Sequence, residues 1–134
     1  MAGNRPIPSP SPDPESVAFW EAADREEFLL PKCGACGRFH WYPRPICPFC
    51  MSWDVEWTTS KGLGRVYSCT VFRKAEAPYA VAYVELDEGP RMLTNIWWGD
   101  PTGIFIGQRV QVTFVSASDQ AARKIPFFRP IQEP

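Results

Sequence analysis

Residues 33–50 read CGACGRFHWYPRPICPFC and contain four of the five cysteines in the chain. They form two C-x-x-C pairs, Cys33 with Cys36 and Cys47 with Cys50, separated by ten residues. Two residues between paired cysteines allow a tight turn to aim both sulfurs at one ion, and two such pairs supply the four thiolates of a tetrahedral site. The spacing therefore predicts a bound metal with a structural role, because four thiolates close the site to substrates.

Zinc is the favoured ion, and iron is the alternative because it also accepts four thiolates. In rubredoxin-like electron carriers a glycine usually follows each pair, whereas here Gly37 follows the first pair and Met51 follows the second. A ribbon without metal or a redox dithiol is a further alternative. The strand–helix context of a thioredoxin-like C-x-x-C is absent from the sequence.

The chain has 134 residues, a mass of 15.2 kDa and a formal net charge of −1. This length favours one domain, or one small domain with an appendage. The charge excludes the broad basic surface of nucleic-acid-binding proteins. No apolar run reaches the ~18 residues of a transmembrane helix, and the N-terminus lacks the apolar segment of a signal peptide. We therefore expect a cytoplasmic protein with no membrane partner, where C-x-x-C pairs favour metal over disulfides.

Alternating prolines dominate residues 1–14 and predict a disordered leader, or alternatively an arm that lies on a partner. Residues 15–30 form the predicted N-terminal helical segment, which follows Asp13 as a possible N-cap. Phe19 and Trp20 lie on its apolar face and must be buried on this chain or on another one.

Residues 31–52 form the predicted zinc ribbon, and residues 53–134 the predicted barrel. In the second region apolar alternation and turn signals repeat, which is typical of a small β-rich fold. Five strands in about 70 residues favour a five-stranded barrel of the OB type. The predicted barrel strands are 65–73, 79–86, 91–98, 109–115 and 124–129.

The order of these features resembles a known family, the rubredoxin-like zinc-ribbon plus OB-fold group called domain of unknown function thirty-five. Two departures are mild: Tyr42 and Met51 stand where the family often has proline and glycine. The resembling motifs run through roughly residues 15–130 and are Phe19-Trp20, Cys33-x-x-Cys36-Gly37, Pro43-Arg44, Cys47-Pro48-x-Cys50, Trp57, Gly62-x-Gly64, Asp87-Glu88-Gly89-Pro90-Arg91, Ile106-Gly107-x-x-Val110 and Pro126-x-Phe128.

This resemblance implies an accessory role. Members are similar to small partner subunits of thiolases, of hydroxymethylglutaryl-CoA synthase, of acyltransferases and of steroid side-chain aldolases. In those assemblies a thiolase-like or lipid-transfer-protein-like subunit carries the chemistry. The resemblance implies that the small subunit docks on it and helps to hold or channel an acyl-CoA, in lipid or steroid breakdown.

Six tryptophans are more than a five-stranded barrel of this size can bury. Exposed aromatic side chains anchor protein interfaces, and a CoA site needs cations for its phosphates. The candidate interface residues are Phe19, Trp20, Trp97 and Trp98. The candidate CoA-binding residues are Arg38, Arg44, Arg65, Arg73 and Lys74, each of which is alternatively an ordinary surface charge.

No catalytic constellation emerges from the sequence. His40 is the only histidine and lies between the cysteine pairs, where an exposed or hydrogen-bonded loop residue is expected. Cys69 is expected to be a small buried side chain and not a nucleophile. The alternatives to the accessory subunit are a single-stranded nucleic-acid-binding ribbon/OB protein, which the charge disfavours, and an independent enzyme.

Overall fold

The computed structural model describes residues 6–74, 76–97 and 100–132. The predicted N-terminal helix, cysteine ribbon and five-stranded barrel are confirmed. The elements are helix α1 (Val17–Asp24) and strands β1 (Phe28–Cys33), β2 (Val55–Ser60), β3 (Leu63–Phe72), β4 (Tyr79–Leu86), β5 (Arg91–Ile96), β6 (Arg109–Ser116) and β7 (Lys124–Pro130), with a 3₁₀ turn at Pro101–Gly103. Among the described helices, none has the length and apolar character needed to cross a membrane.

Strands β3 to β7 close into a barrel in the order β3-β4-β5-β7-β6. Strand β4 alternates as a half-buried strand should, with Ala80, Ala82, Val84 and Leu86 turned into the core. Gly64 in β3 pairs with both β4 and β6, and a Cβ there would lie 2.5 Å from the backbone oxygen of β4. The bend of β3 between its two neighbours therefore requires glycine at this position.

The ribbon is the antiparallel pair of β1 and β2, and the cysteine pairs lie between them. Strand β1 was not predicted, because the helical pattern was extended through Phe28. The helix ends instead at Asp24, and Glu26 adopts a φ of 61°, in the left-handed region. This turn reverses the chain and directs Phe28 and Leu30 into the core.

The described part of the leader differs from the predicted disordered segment. Ile7 is only 5% exposed, its N–H donates to the Ser118 hydroxyl (2.8 Å), and its carbonyl accepts from the Ser118 N–H (2.6 Å). The N–H and hydroxyl of Ser9 donate to the Asp119 carboxylate at 2.8 and 2.6 Å. The arm thus lies on the loop between β6 and β7. This loop supplies the hydrogen-bond partners of the Ile7 and Ser9 backbone groups, which the proline-rich arm does not pair within itself.

The ribbon and the barrel share one core. Phe28 of β1 packs edge-to-face on Phe128 of β7, with ring centroids 6.0 Å apart. The hydroxyl of Ser60, at the end of β2, donates to the Glu88 carboxylate in the β4–β5 turn (2.7 Å). Phe19 of α1 contacts the rings of Trp41, Trp57 and Phe28. The helix therefore fills the angle between ribbon and barrel.

Candidate metal centre and docking surface

Each cysteine pair lies in a tight turn that is closed by backbone N–H groups. The Cys36 N–H donates to the Cys33 sulfur, and the Phe49 N–H donates to the Cys47 sulfur, both at 3.4 Å. Each turn is closed by a second bond, from the residue after the pair to the carbonyl of its first cysteine, at 2.9 Å. The closing residues are Gly37 and Met51, with φ of 78° and 65°. The methionine therefore adopts the left-handed conformation that glycine provides in the first turn.

The four cysteine sulfurs converge as predicted. All four lie within 4.8 Å of one another. The Cys33 and Cys50 sulfurs are 3.5 Å apart, and those of Cys36 and Cys47 are 3.7 Å apart. A tetrahedral zinc site with 2.3 Å bonds places its sulfurs about 3.8 Å apart, so this donor set fits the ion. When bound, the ion would supply structural cross-linking, since four thiolates leave it no open position.

The environment of the cluster favours thiolates on its buried side. Burial raises the pKa of Cys47, but the backbone N–H groups of Cys50 and Phe49 and the neighbouring thiols outweigh it and lower the pKa to about 7. The pKa of Cys33 is also lowered, chiefly by the backbone N–H of Cys36. Hydrogen bonds to the charged sulfur stabilise it, so these residues are prepared to act as metal ligands.

A second feature is a groove where the helix and the ribbon meet the edge of the barrel. It has a volume of about 440 Å³, which is within the range of ligand and peptide sites. We call it the seam groove; it is lined by Phe19, Trp20, Trp41, Tyr42, Val81, Met92, Leu93, Thr94, Asn95, Ile125, Pro126 and Phe127. Its lining contains no charged side chain, which distinguishes it from a phosphate site.

The seam groove continues onto the outside of the barrel. Tyr83 of β4 and Leu93 of β5 are directly opposite each other and are 46% and 56% exposed. Val81 lies two residues before Tyr83 on the same face of β4 and also lines the groove. We call Val81, Tyr83 and Leu93 the barrel face. The barrel face is not among the predicted interface residues. The apolar residues of YAVAYVEL nevertheless occupy both alternating sets of positions, which indicates a strand that is apolar on both faces.

The predicted interface residues differ in burial and position. Phe19 is only 2% exposed, so it is a core residue and not a surface anchor; its neighbours on β1 and in the ribbon cover it. Trp20 is half-buried and lines the seam groove. Trp97 is half-buried and packs on Phe127, with ring centroids 5.6 Å apart. Trp98 lies outside the described residues.

The five predicted CoA-binding cations are not brought together. Arg38 stacks on the Phe49 ring at 3.7 Å, and Arg65 donates to the carbonyl of Gly107 at 3.1 Å. Arg73 and Lys74 follow the other end of β3, where both are exposed. Since the seven residues Val66–Phe72 lie between Arg65 and Arg73, these two cations are at opposite ends of β3.

Arg44 is the candidate cation that lines a cavity. It borders two clefts of about 260 and 430 Å³ beside the ribbon, together with Glu15 and Pro45. These clefts lie next to the second cysteine pair, since Cys47 lines the larger one. Arg44 shares these clefts with the side chains of Glu15 and, in the smaller cleft, Glu56.

The ribbon also exposes apolar side chains near its cysteines. Phe49, Met51 and Trp53 are 49%, 69% and 73% exposed, and we call them the ribbon tip. An exposed cluster of large apolar side chains marks an interaction site. The sequence signal was available, because all three lie in or just beyond the second cysteine pair, in a segment too short to bury them.

Among the described residues, neither His40 nor Cys69 is hydrogen-bonded to a side chain that would activate it as a base or a nucleophile. His40 is 2% exposed, contrary to the expected exposed or hydrogen-bonded loop residue, and neither ring nitrogen has a hydrogen-bond partner among the described residues. Burial lowers the pKa of His40 and favours its neutral form. Cys69 is half-buried, with its sulfur 3.9 Å from the carbonyl oxygen of Ile104.

Comparisons with known proteins agree with this architecture. Residues 20–56 match the ChsH2 rubredoxin-like zinc ribbon domain, and residues 57–115 match the ChsH2 C-terminal OB-fold domain. A DUF35 domain-containing scaffold protein of Methanothermobacter thermautotrophicus is 36% identical over 75% of this chain and 81% of its own length. A probable enoyl-CoA hydratase alpha subunit of Thermomonospora curvata is 34% identical over 92% of this chain.

The chain spans only 40% of the length of that hydratase subunit. Among solved structures, the Ltp2-ChsH2(DUF35) aldolase contains a chain with a TM-score of 0.79 and 35% sequence identity. The similarity covers 91% of this chain and 98% of that one. The likeness therefore extends over ribbon, helix and barrel together.

Proposed function

Because the chain belongs to the DUF35 family of zinc-ribbon and OB-fold proteins, we propose that it is a non-catalytic accessory subunit of an acyl-CoA-processing enzyme. Its partner in this proposal is a thiolase-superfamily enzyme: a thiolase, an acyltransferase or a steroid side-chain aldolase of the lipid-transfer-protein type. The chain docks on that enzyme and helps to bind or channel the acyl-CoA substrate.

The observation that carries the proposal is the likeness to the aldolase chain over 98% of that chain's length. The names of the other relatives, a scaffold protein and a hydratase alpha subunit, support membership of a multi-subunit assembly. The hydratase subunit is a longer protein, so its activity is not carried over to this chain.

The surface chemistry supports docking. The seam groove, the barrel face and the ribbon tip expose large apolar side chains, among them Tyr42, Leu93 and Trp53, and such patches mark interaction surfaces. In the described residues His40 is buried and lacks a carboxylate or hydroxyl partner, so a histidine-based nucleophile–base pair is not available. This arrangement favours a subunit that acts through contacts.

In the proposed complex, Arg44 meets the phosphates of CoA in the clefts beside the ribbon. A guanidinium binds phosphate through paired N–H donors. Arg38, Arg65, Arg73 and Lys74 are then surface charges. Zinc holds the ribbon in this proposal, and a cytoplasmic location follows from the reducing conditions that favour four thiolates over disulfides.

The experiment is a tagged pull-down from the native host, with mass-spectrometric identification of the proteins recovered. We expect a thiolase-like subunit in near-equal amount, and turnover of an acyl-CoA by the complex but not by this chain alone. Recovery of the bait alone, from an extract that contains such an enzyme, would contradict the proposal. Salt-sensitive binding to a single-stranded oligonucleotide would favour the nucleic-acid alternative.

Affinity for CoA tests the role of Arg44 separately. Arg44→Ala should weaken CoA binding by the complex about tenfold, since a charge-assisted phosphate contact is lost. Arg73→Ala is the matched control, because Arg73 is also an exposed arginine but lies beyond the end of β3. Equal effects of the two substitutions would remove Arg44 from the proposed site.

A further inference from the structure

The shortest ladder of the barrel joins β5 to β7, since even β3 and β6 are paired through three residue pairs. Strand β4 is paired to β5 through six residue pairs, and β6 to β7 through seven. Among the described residues, β5 and β7 are joined in parallel through Ile96 and Phe128 alone, with one further bond from the Trp97 N–H to the Phe128 carbonyl (2.7 Å). The two strands therefore separate over the first part of β5, and the seam groove lies there.

Proline keeps this seam open. Pro126 lies in the middle of β7, opposite Phe114 of β6, and also lines the seam groove. A proline has no N–H to donate, so β7 cannot complete a ladder with β5 at this height. In an antiparallel pair, alternate residues direct their N–H and C=O groups away from the partner strand. Because the Trp97 N–H faces β7, the alternation turns the N–H and C=O of Leu93 toward the seam and those of Met92 and Thr94 toward β4.

The walls of the seam groove suit a chain segment without charges. Leu93 stands at its mouth on the barrel side, 56% exposed, and Tyr42 on the ribbon side, 44% exposed. Trp20 and Trp41 form the wall opposite the strands. The groove thus combines an apolar lining with a strand edge on which the Leu93 N–H and C=O are turned away from β4, and these are the two components of strand addition.

We infer that the seam groove receives an extended, apolar segment of the partner enzyme, which pairs with β5 as an additional strand. This inference rests on the proposed function and names the part of the surface through which docking occurs. A peptide is favoured over an acyl chain because an acyl chain offers no partner to the N–H and C=O of Leu93 that face the seam, whereas an added strand bonds to both.

The test compares two substitutions in the purified complex with the enzyme identified by the pull-down. Leu93→Lys places a charge at the mouth of the groove, where edge lysines oppose strand pairing. Phe105→Lys is the matched control, because Phe105 is 59% exposed and lies in the loop before β6. We expect the first to weaken the complex at least about tenfold and the second less than about twofold. Zinc content and circular dichroism verify that both variants fold.

A second measurement reports the strand itself. Amide hydrogen exchange should show new protection in the complex of the β5 amides that face the seam, Leu93 among them. Twelve-residue peptides that cover the partner sequence should include one that binds the free chain. Methylation of alternate backbone nitrogens along one edge of this peptide should abolish binding, and methylation along the other edge should not.

Each outcome has a distinct meaning. A complex that survives Leu93→Lys, or that leaves these amides unprotected, overturns the inference and leaves the accessory role intact. Failure to obtain any complex removes both. Binding of palmitoyl-CoA to the free chain that Leu93→Lys abolishes, with no peptide bound, would make the groove a lipid site and also overturn the inference.

Discussion

The ribbon and the barrel bury different kinds of side chain. Inside the barrel the buried residues are almost all aliphatic or aromatic, and they come from every strand between β3 and β7. In the ribbon the buried side chains at the end of β1 and in the segment before β2 are Cys33, His40, Pro43 and Cys47, while the large side chains of the ribbon tip remain exposed. The barrel is thus held by apolar burial, and the connecting segment of the ribbon by its sulfur cluster.

This difference explains how the ribbon presents apolar residues to a partner. A segment stabilised by apolar burial must turn its large side chains inward. A segment cross-linked by a metal can leave Phe49, Met51 and Trp53 outside without losing its fold. The comparison predicts that the two regions respond separately to metal loss, core cavities, arm removal and charge removal, in decreasing order of effect.

Loss of the metal site is the largest expected change. Structural zinc supplies an apparent ~10–16 kcal/mol in small zinc-dependent domains. Cys47→Ser, or chelation of the wild-type chain, should therefore unfold the segment between β1 and β2 and abolish partner binding while the barrel remains folded. In a heteronuclear NMR spectrum, the amide signals of residues 34–54 should lose dispersion and those of β3–β7 should keep it.

Cys69→Ser is the control, because Cys69 is a thiol outside the cluster and should leave both spectrum and metal content unchanged. A dispersed ribbon without metal would contradict the structural role of the ion. A partner complex that forms after metal loss would exclude the ribbon tip from the interface.

A cavity in the barrel should have the opposite distribution of effects. Phe128 is fully buried, and Phe128→Ala should cost about 3–5 kcal/mol of unfolding free energy. Because the cysteine cluster lies outside the barrel, one zinc per chain should still bind. Chemical denaturation followed by fluorescence, with metal analysis of the folded protein, checks both expectations.

Phe105→Ala is the control for this cavity, since its exposed side chain should contribute less than about 0.5 kcal/mol. Loss of zinc together with barrel stability would show that the Phe28–Phe128 contact makes one cooperative unit of the two regions. The ribbon and the barrel would then differ in the kinds of side chain that they bury but would unfold together.

The proline-rich arm belongs to the barrel side of the comparison. Ile7→Ala should lower the unfolding free energy by about 2 kcal/mol, at the low end for a buried isoleucine because the arm lies on the surface of the fold. Faster proteolysis within residues 6–14 should accompany this loss. Ser11→Ala, at an exposed position of the same arm, should change neither quantity. Equal melting temperatures for the two variants would contradict docking of the arm.

The cysteine spacing and the strand pattern predicted the fold because each depends on local chemistry. Two C-x-x-C pairs specify a tetrahedral cluster, and the almost wholly apolar run Tyr79–Leu86 has the bounds of β4. The sequence does not predict strand β1, because its partner β2 lies more than twenty residues away. Nor does the sequence of the helix signal the left-handed turn at Glu26 that ends it. Pairing across such distances is set by tertiary packing and not by propensity.

The site was less predictable for the same reason. Whether Phe19 or Trp20 faces the surface depends on which elements cover the helix, and the sequence of the helix does not specify them. The barrel face and the seam groove arise from β4, β5 and β7 together, so neither Leu93 nor Pro126 is informative alone. The five cations shared only their charge, and the fold separates them along β3 and the ribbon.

The smallest expected effect comes from a surface ion pair of the barrel. Two nitrogens of the Arg109 guanidinium donate to the two carboxylate oxygens of Asp87, each at 2.6 Å, and this hydrogen bonding is the main reason that the pKa of Asp87 is lowered. A carboxyl whose folded pKa lies below its unfolded value of about 3.9 stabilises the fold above that value. The stabilisation is lost as pH falls through the folded pKa.

Asp87→Asn should therefore cost less than about 1 kcal/mol at neutral pH, because half of the Asp87 side chain is exposed and water screens the pair. The difference between variant and wild type should shrink with salt and vanish at a pH below the lowered folded pKa of Asp87, where this carboxyl is protonated. Denaturation curves of the two proteins at both pH values measure this, and acid loss of the metal cancels because it affects both. A difference that persists in acid would mean that the carboxylate holds the β4–β5 turn by shape, and the barrel would then owe none of its stability to this charge pair.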